Sequence, residues 1–324
     1  MNKSIPVIGF VILALMAVLV FGAAAYDAFT VPPAQPIVGV LLVLGLIGLA
    51  FTLFNESKGL GALKADGLFS NKNILSFVAV VAGALLSHWL NVDMKLGLVV
   101  GSALVGVAAA FLFPDYAVAA YTGSFVGMAG TKLLPGYAQL AMAAVVAGIV
   151  YILALTVFGG FGGKLGTIAA SGCAFTGVCL STEFTHPGVP GWNVGLLLII
   201  TSVIAALVTY FLNNDRKLGP VKASALVGLV AGILLPRLPG LAAGVGATLA
   251  VMAICASFAG MSNTKRMPSW IPMAFVGLSA GLVYMFANPF IGGTGGKLGT
   301  IAFGSNMAIR GLLDLVAKFQ GSRK

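Results

Sequence analysis

The sequence has few charged residues for its length. Asp, Glu, Lys and Arg together make up 8% of its 324 residues, whereas about 25% is usual in soluble domains. Hydrophobic residues account for 59%, and the mean hydropathy is +1.06. Because so few polar side chains cannot cover a water-facing surface of this size, the composition excludes a soluble globular protein. It predicts an all-α polytopic membrane protein, since Gly and Pro clusters separate long apolar runs.

Residues that carry catalytic or metal chemistry are also scarce. The chain has 8 acidic residues, 2 histidines and 3 cysteines, and their spacing matches no metal-binding or catalytic pattern. We therefore expect no enzyme activity and no cofactor, with Na⁺ left open as a coupling ion. No acidic residue lies deep in a predicted span, which disfavours a proton relay by carboxylates. The net charge of +10 comes from basic residues in short loops, which set membrane topology, so nucleic acid is not an expected partner.

One motif is present in two copies. Residues 159–169 read GGFGGKLGTIA and residues 292–302 read GGTGGKLGTIA, so 10 of 11 positions are identical at a spacing of 133 residues. Each copy places a glycine-rich stretch and one lysine, Lys164 or Lys297, between apolar segments. Paired broken segments in two halves of a membrane protein are typical of a transport site.

The glycines and lysines of this motif predict a ligand site. Glycine weakens a helix by about 1 kcal/mol relative to alanine and lets the backbone unwind, while the residues from each lysine onward favour a half-helix. The free N–H groups and positive dipole at such a helix start attract an anion. The structural alternative is close helix packing by glycine, with lysines that reach the membrane interface. The predicted substrate or ion ligands are Gly160, Gly162, Gly163, Lys164, Gly166, Thr167, Gly293, Gly295, Gly296, Lys297, Gly299 and Thr300.

A second pair of motifs follows the pattern S-F-x-G-M-x2-T-K-x2-P. It contains Ser124 and Thr131 in one copy and Ser257 and Thr264 in the other. Residues separated by 7 positions share a helical face, which predicts that these hydroxyls line a pathway. The alternative is a helix terminus whose hydroxyls serve ordinary membrane packing.

The duplication extends beyond these motifs. Residues 91–106 and 213–228 share N-x-D-x-K-L-G-x4-S-A-L-V-G at a spacing of 122, and later matches are spaced by 133, so the second copy holds 11 extra residues. At about 20 residues per span, the predicted segments are 5–26, 37–54, 73–90, 95–113, 116–131, 138–158, 160–181, 193–213, 218–236, 239–262, 269–287 and 289–308. The extra residues make 239–262 long enough to span, where 116–131 is short.

These segments predict four parts of the chain. A two-helix segment with a cytoplasmic loop (1–72) is followed by repeat 1 (73–194), repeat 2 (195–308) and an amphipathic tail (309–324). If each repeat crosses the membrane five times, 13 of the 18 basic residues face the cytoplasm and 3 face out; if 160–181 dips in and returns, 9 face in and 7 face out. The positive-inside rule prefers the first arrangement, which predicts inverted repeats with both termini in the cytoplasm of a bacterial cell and the chain in its inner membrane. If both 116–131 and 160–181 dip in, each copy crosses three times, and the repeats are again inverted.

The layout resembles one class of carrier. Two five-segment halves, with GG-x-G at 159–162 and 292–295 before each fifth segment, resemble sodium-coupled carriers of the 2-hydroxycarboxylate and glutamate type. The resemblance is limited to this glycine pattern and the general layout. It implies re-entrant glycine loops that help to bind a carboxylate substrate and sodium.

Together these features predict membrane transport of a small solute. The leading hypothesis is a secondary transporter for a small anion or carboxylate, in which both lysines neutralise the substrate and the glycine carbonyls hold Na⁺. One alternative is a channel for a small neutral solute or ion, and another is a non-transporting subunit of a membrane complex. The expected partners are the lipid bilayer and the solute, and self-association into a homo-oligomer is left open.

Overall fold

The computed structural model describes residues 4–32, 35–63 and 69–321, which form twelve α-helices. Residues 1–3, 33–34, 64–68 and 322–324, which fall in the predicted N-terminal segment, cytoplasmic loop and tail, lie outside the described residues. The helices are α1 (Ser4–Thr30), α2 (Pro36–Gly59), α3 (Asn71–His88), α4 (Leu98–Leu112), α5 (Ala117–Val126), α6 (Tyr137–Leu153), α7 (Lys164–Cys179), α8 (Trp192–Tyr210), α9 (Pro220–Leu234), α10 (Val245–Gly260), α11 (Trp270–Phe286) and α12 (Lys297–Gly321).

The described helices have the lengths and surfaces of a membrane protein. Counted with their terminal turns, the stretches that are long and apolar enough to cross a bilayer are Ser4–Thr30, Pro36–Ala62, Asn71–Asp93, Trp192–Asp215 and Pro220–Arg237. Large apolar side chains face outwards, with Ile37 77% and Phe111 62% exposed, while alanine and glycine fill many helix contacts. This distribution suits a surface in contact with lipid and an interior of closely approaching helices.

Several helix boundaries differ from the predicted segments, and two of them follow from glycine-rich stretches. The segment 160–181 begins as a helix at Lys164, because a glycine loop precedes it. The segment 239–262 is helical over Val245–Gly260, so α10 has 16 residues and is shorter than the predicted span. Gly240 and Gly244 take φ values of +80° and +82°, which a right-handed helix cannot contain. The residues from Gly240 to Gly244 therefore belong to the loop that joins α9 to α10.

The C-terminal helix also differs from the prediction. Helix α12 runs unbroken from Lys297 to Gly321, across the boundary predicted between segment 289–308 and the tail. Contacts with α2 explain this continuity: a methyl group added at Gly311 would lie 1.8 Å from Gly48 O, and Thr52 Oγ1 donates a 2.7 Å hydrogen bond to Met307 O. These contacts hold the predicted boundary inside the helix bundle.

Repeated sequence gives repeated local structure. Helices α3 and α8 each end in a π-helical turn, Trp89–Asp93 and Phe211–Asp215. The lysine that follows has φ of +56° at Lys95 and +55° at Lys217. Left-handed conformations are uncommon for lysine, so their occurrence at matching positions shows that the shared N-x-D-x-K-L-G pattern specifies one turn.

Equivalent helices from the two sequence copies meet within the core. Helix α4 packs against α9 and α7 against α12, while within each copy α3 packs on α5 and α8 on α10. Phe125 and Phe258, which occupy matching positions 133 residues apart, pack with ring centroids separated by 4.5 Å. Contacts between matching residues are expected where two units are related by an approximate twofold rotation.

Candidate ligand-binding site at the paired glycine motifs

Each copy of the glycine motif forms a loop that leads directly into a helix. Gly160 and Gly163 have φ values of +81° and +85°, and Gly293 and Gly296 have values of +80° and +87°. A side chain is strained in such conformations, so the backbone itself requires glycine at these four positions. Lys164 and Lys297 are the first residues of α7 and α12, where the helix dipole is positive. At the start of α12, Lys297 N and Gly299 N donate to Thr294 O and Gly296 O at 3.3 and 2.9 Å.

The first turns of α7 and α12 cross in backbone contact. A methyl group added at Gly166 would lie 2.5 Å from Gly299 Cα, and one added at Gly299 would lie 2.5 Å from Gly166 Cα. In the same way, a methyl group added at Gly163 would lie 2.4 Å from Gly299 O, and one added at Gly296 would lie 2.3 Å from Gly166 O. The predicted glycine ligands thus bring two helix starts together, and packing explains much of their identity.

Each loop is fixed by the turn that follows α5 or α10 of the other copy. Gly130 N donates a 2.9 Å hydrogen bond to Gly293 O, and Asn263 N donates a 3.0 Å hydrogen bond to Gly160 O. The same exchange places Gly295 against the carbonyl of Phe125, and Gly162 against that of Phe258. These reciprocal contacts hold the two loops in similar environments.

The two lysines bind the backbone of their own copy. Lys164 Nζ donates hydrogen bonds to Val157 O at 2.6 Å and to Leu155 O at 3.4 Å. Lys297 Nζ donates to Asn288 O at 3.0 Å, the position that matches Leu155. These carbonyls follow the ends of α6 and α11, where the helix dipole favours a positive charge. Each ammonium is therefore held within its own copy.

The two threonines of the motif are buried one turn into the helices. Thr167 Oγ1 donates to Gly163 O at 3.3 Å. In the part of the chain that the structure describes, Thr300 Oγ1 is buried without a hydrogen-bond partner. Both threonines are at most 1% exposed, so a ligand reaches neither hydroxyl without movement of the surrounding helices.

A cavity of about 170 Å³ lies against the second motif. Its polar lining comes from Asn288, Thr294, Lys297 and the loop glycines, and its apolar lining includes Met128, Val251, Tyr284 and Ile301. Thr294 is 7% exposed, and its Oγ1 has no hydrogen-bond partner among the described residues. An unpaired buried hydroxyl costs about 1–3 kcal/mol. A helix start, an ammonium and this hydroxyl therefore suit an anion whose oxygen atoms accept hydrogen bonds.

The matching space at the first motif is filled and covered. Phe161 occupies the position of Thr294, is 5% exposed, and lies under the Arg266 guanidinium at 4.2 Å from the ring centroid. Arg266 Nε donates to Gly159 O at 2.9 Å, and its two terminal nitrogens contact the Glu56 carboxylate at 2.6 and 3.0 Å. This ion pair between sequence-distant residues had no signal in the motif analysis.

Helix α1 shows that the chain enters the two loops at places far apart along the bundle. The ring of Phe10 stacks on Phe158, just before the first loop, at 4.9 Å between centroids. Tyr26 and Asp27 line a groove together with Pro289–Ile291, just before the second loop. At 1.5 Å per residue, Phe10 and Asp27 are separated by about 25 Å along the helix. The loops therefore approach the crossing of α7 and α12 from opposite ends of α1.

The two hydroxyls of each predicted pair do not share a helical face, so the spacing argument for a pathway fails, and their contact with a solute stays a prediction. Helix α5 ends at Val126 and α10 at Gly260, which leaves Thr131 and Thr264 exposed in turns. Ser124 and Ser257 are fully buried, and their hydroxyls contact Ser102 and Ser224 at 2.8 and 2.9 Å. These two serines therefore satisfy each copy's internal packing.

A buried polar cluster next to the first loop escaped the sequence analysis. Ser262 Oγ donates to Asn306 Oδ1 at 2.8 Å and accepts from Gly162 N at 2.9 Å. Asn306 Nδ2 in turn donates to Gly162 O, Ala259 O and Ala302 O. The matching residues in the other copy are Ala129 and Cys173. The departure from the repeat at these positions was the available signal.

Comparison with protein-family models, curated proteins and solved structures finds no match to this chain. The fold itself defines the class: an all-helical protein whose long apolar helices are compatible with an integral membrane protein. No group of three or more His, Cys, Asp or Glu side chains that fits a metal ion occurs in residues 4–32, 35–63 and 69–321.

Proposed function

We propose that the protein is a secondary transporter for a small monovalent anion, with a carboxylate as the favoured class. The cavity beside Lys297 carries this proposal. Its volume of about 170 Å³ corresponds to roughly six water-sized groups at about 30 Å³ each, which admits a short carboxylate. Lys297 and the start of α12 supply positive charge, and Thr294 supplies a free hydroxyl donor.

The charge balance of the cavity favours a monovalent ligand. Lys297 is the basic residue in its lining, and the carboxylate of Asp27 interacts with it electrostatically. Within residues 4–32, 35–63 and 69–321, no carboxylate lies within 4 Å of Lys297 Nζ, so Lys297 is not neutralised by direct contact. A single incoming negative charge balances one ammonium, whereas a dianion leaves an uncompensated charge in a buried site.

The proposed membrane arrangement places two inverted copies around this site. Each copy crosses five times after the α1–α2 hairpin, with both chain termini in the cytoplasm of a bacterial cell, as the distribution of basic residues favours. The reciprocal contacts of Gly166 with Gly299 and the placement of the loops at opposite ends of α1 support this proposal. Alternating exposure of the two loops is then the expected transport cycle.

Uptake by the purified protein in liposomes tests this proposal. We expect saturable accumulation of radiolabelled formate, acetate or lactate, and an imposed Na⁺ gradient decides whether Na⁺ is the coupling ion. In Lys297→Gln, the loss of a charge-assisted hydrogen bond of about 1.5–3 kcal/mol raises the apparent KM roughly ten- to hundredfold. Glutamine keeps an N–H donor for Asn288 O, so the variant tests the charge more than the fold.

Lys164→Gln is the matched control. It removes the same charge from the same motif, but Lys164 donates to two carbonyls and lies outside the cavity lining, so we expect a smaller change in KM. Unchanged uptake in the double variant Lys164→Gln/Lys297→Gln contradicts the proposal. Nonsaturating flux of urea indicates the channel alternative, and an absence of any flux by the folded protein alone indicates the subunit alternative.

A further inference from the structure

The two glycine motifs differ at one of 11 positions, and that position separates a cavity from a filled space. Position 161 is phenylalanine in the first copy and position 294 is threonine in the second. Thr294 lines the cavity beside Lys297 with an unpartnered hydroxyl. Phe161 is buried and packs edge-on against Phe303, with ring centroids 6.2 Å apart. The same backbone therefore presents a hydrogen-bond donor on one side and an aromatic ring on the other.

The neighbours of this position change polarity along with it. Asn288 lines the cavity of the second copy, and the matching residue of the first copy is Leu155. In the turn that packs on each loop, Arg266 contacts the first loop, whereas the matching Leu133 is buried beside Gly293 of the second. At these two positions the second loop thus has polar side chains under an apolar turn, and the first has apolar side chains under a charged turn.

The turn after α10, which carries Arg266, covers the first loop. Arg266 bonds the loop at Gly159 O, covers the Phe161 ring and forms a two-pronged ion pair with Glu56 of α2. The partners come from the loop, from the turn after α10 and from α2, which are separate elements of the bundle. Such a tie between elements holds one arrangement until its ion pair opens.

From this asymmetry we infer that position 161/294 decides which motif holds the ligand. Thr294 lets one monovalent carboxylate reach Lys297. At the first motif, the Phe161 ring blocks the ligand's passage, and the Arg266–Glu56 ion pair holds that ring in place. This inference rests on the proposed function, because it assigns the anion of that proposal to the second motif and the closed side to the first.

Cysteine labelling tests both halves of the inference without knowledge of the natural ligand. Thr294→Cys and Phe161→Cys are each treated with a sulfonate and a trimethylammonium methanethiosulfonate reagent of equal length. We expect the sulfonate to modify Thr294→Cys at least about tenfold faster, because Lys297 attracts it through a partly buried medium. We expect Phe161→Cys to react with neither reagent. The unsubstituted protein, with Cys173, Cys179 and Cys255, gives the background rate.

Two further variants separate charge attraction from the barrier. Adding Lys297→Gln to Thr294→Cys is expected to remove the preference for the sulfonate. Adding Glu56→Gln to Phe161→Cys is expected to release Arg266 and expose the thiol to modification. Rapid labelling of Phe161→Cys while Glu56 and Arg266 are intact overturns the barrier but leaves the proposed function standing. Equal rates of both reagents at Thr294→Cys overturn the anion site itself.

A pair of conservative variants guards against misfolding. Thr294→Ser keeps the hydroxyl and Thr294→Val keeps the shape, so both are compatible with the buried position. We expect Thr294→Val to raise the KM for acetate about tenfold and Thr294→Ser to retain it near the original value. The same KM in both variants contradicts a ligand contact by the hydroxyl, whereas equal loss of thermal stability in both identifies a purely structural role.

Discussion

The crossing of α7 and α12 makes a strong prediction for Gly166→Ala. The added methyl group would lie 2.5 Å from Gly299 Cα, whereas carbon atoms pack at about 3.5–4.0 Å. The two helix starts must therefore separate by about 1 Å or bend. Overpacking of this kind costs about 1–3 kcal/mol, and the intrinsic gain of alanine over glycine in a helix offsets about 1 kcal/mol at most. Because the clashing atoms belong to the backbone, we take the upper part of the overpacking range, about 2–3 kcal/mol, and expect a net loss of about 1–2 kcal/mol.

Gly22→Ala is the matched control for this experiment. Gly22 also lies within a helix, and an added methyl group meets nothing within 4 Å, so only the intrinsic gain remains. Thermal unfolding in detergent measures both variants, and we expect Tm to fall by roughly 2–8 °C in Gly166→Ala and not to fall in Gly22→Ala.

The reciprocal substitution tests the crossing itself. Gly299→Ala adds a methyl group to the same contact from the opposite side, so its loss of stability should match that of Gly166→Ala. Because the two methyl groups would share one gap, the double variant should cost less than the sum of the single losses. A Gly166→Ala protein as stable as Gly22→Ala, or opposite effects of Gly166→Ala and Gly299→Ala, refutes the reasoning.

Two further predictions concern buried polar groups in the copies. Asn306→Ala removes the amide that joins α12 to the first loop and leaves buried partners unpaired, so unfolding should become easier by about 2–4 kcal/mol, against about 1 kcal/mol for Cys173→Ala at the matching position; equal losses in thermal or denaturant unfolding contradict this. Ser224→Ala should cost about 1 kcal/mol more than Ser102→Ala, because Ser224 also contacts the buried Tyr121 hydroxyl at 3.1 Å, and the same assay on both variants decides it.

The sequence predicted features that depend on local composition and repetition. The number and order of the helical segments followed from apolar length, and the glycine loop before Lys164 followed from four closely spaced glycines. The sequence also showed that N-x-D-x-K-L-G is repeated, and the structure gives its two copies matching turns at Lys95 and Lys217. In each case the information lies within a few neighbouring residues, which a reading of the chain can reach.

Features that depend on tertiary contact were missed. The tail was separated from α12 because its polarity rises after residue 308, but packing of Gly311 on Gly48 continues the helix. The expected helical face shared by Ser124 and Thr131 is absent because α5 ends at Val126, before Thr131. The tie between Arg266 and Glu56 joins residues 210 positions apart, and no local pattern announces such a pair.

The sequence shows that the two motifs differ, but it does not show what the difference does. The exchange of phenylalanine for threonine at position 161/294 stood out as the one mismatch between the copies. Its meaning depends on tertiary contacts, which place Thr294 in a cavity and Phe161 beneath a guanidinium. A mismatch within a near-identical repeat is therefore informative about the site, because both positions occupy equivalent backbones.

The backbone contact between Gly166 and Gly299 has a consequence for how this chain changes over generations. After a duplication, two halves of a gene ordinarily accumulate substitutions independently. Here each half supplies the surface on which the other half packs, so a larger residue on one side removes the room available on the other. We therefore expect substitutions in the two motifs to depend on each other, so that selection on either motif also constrains the other.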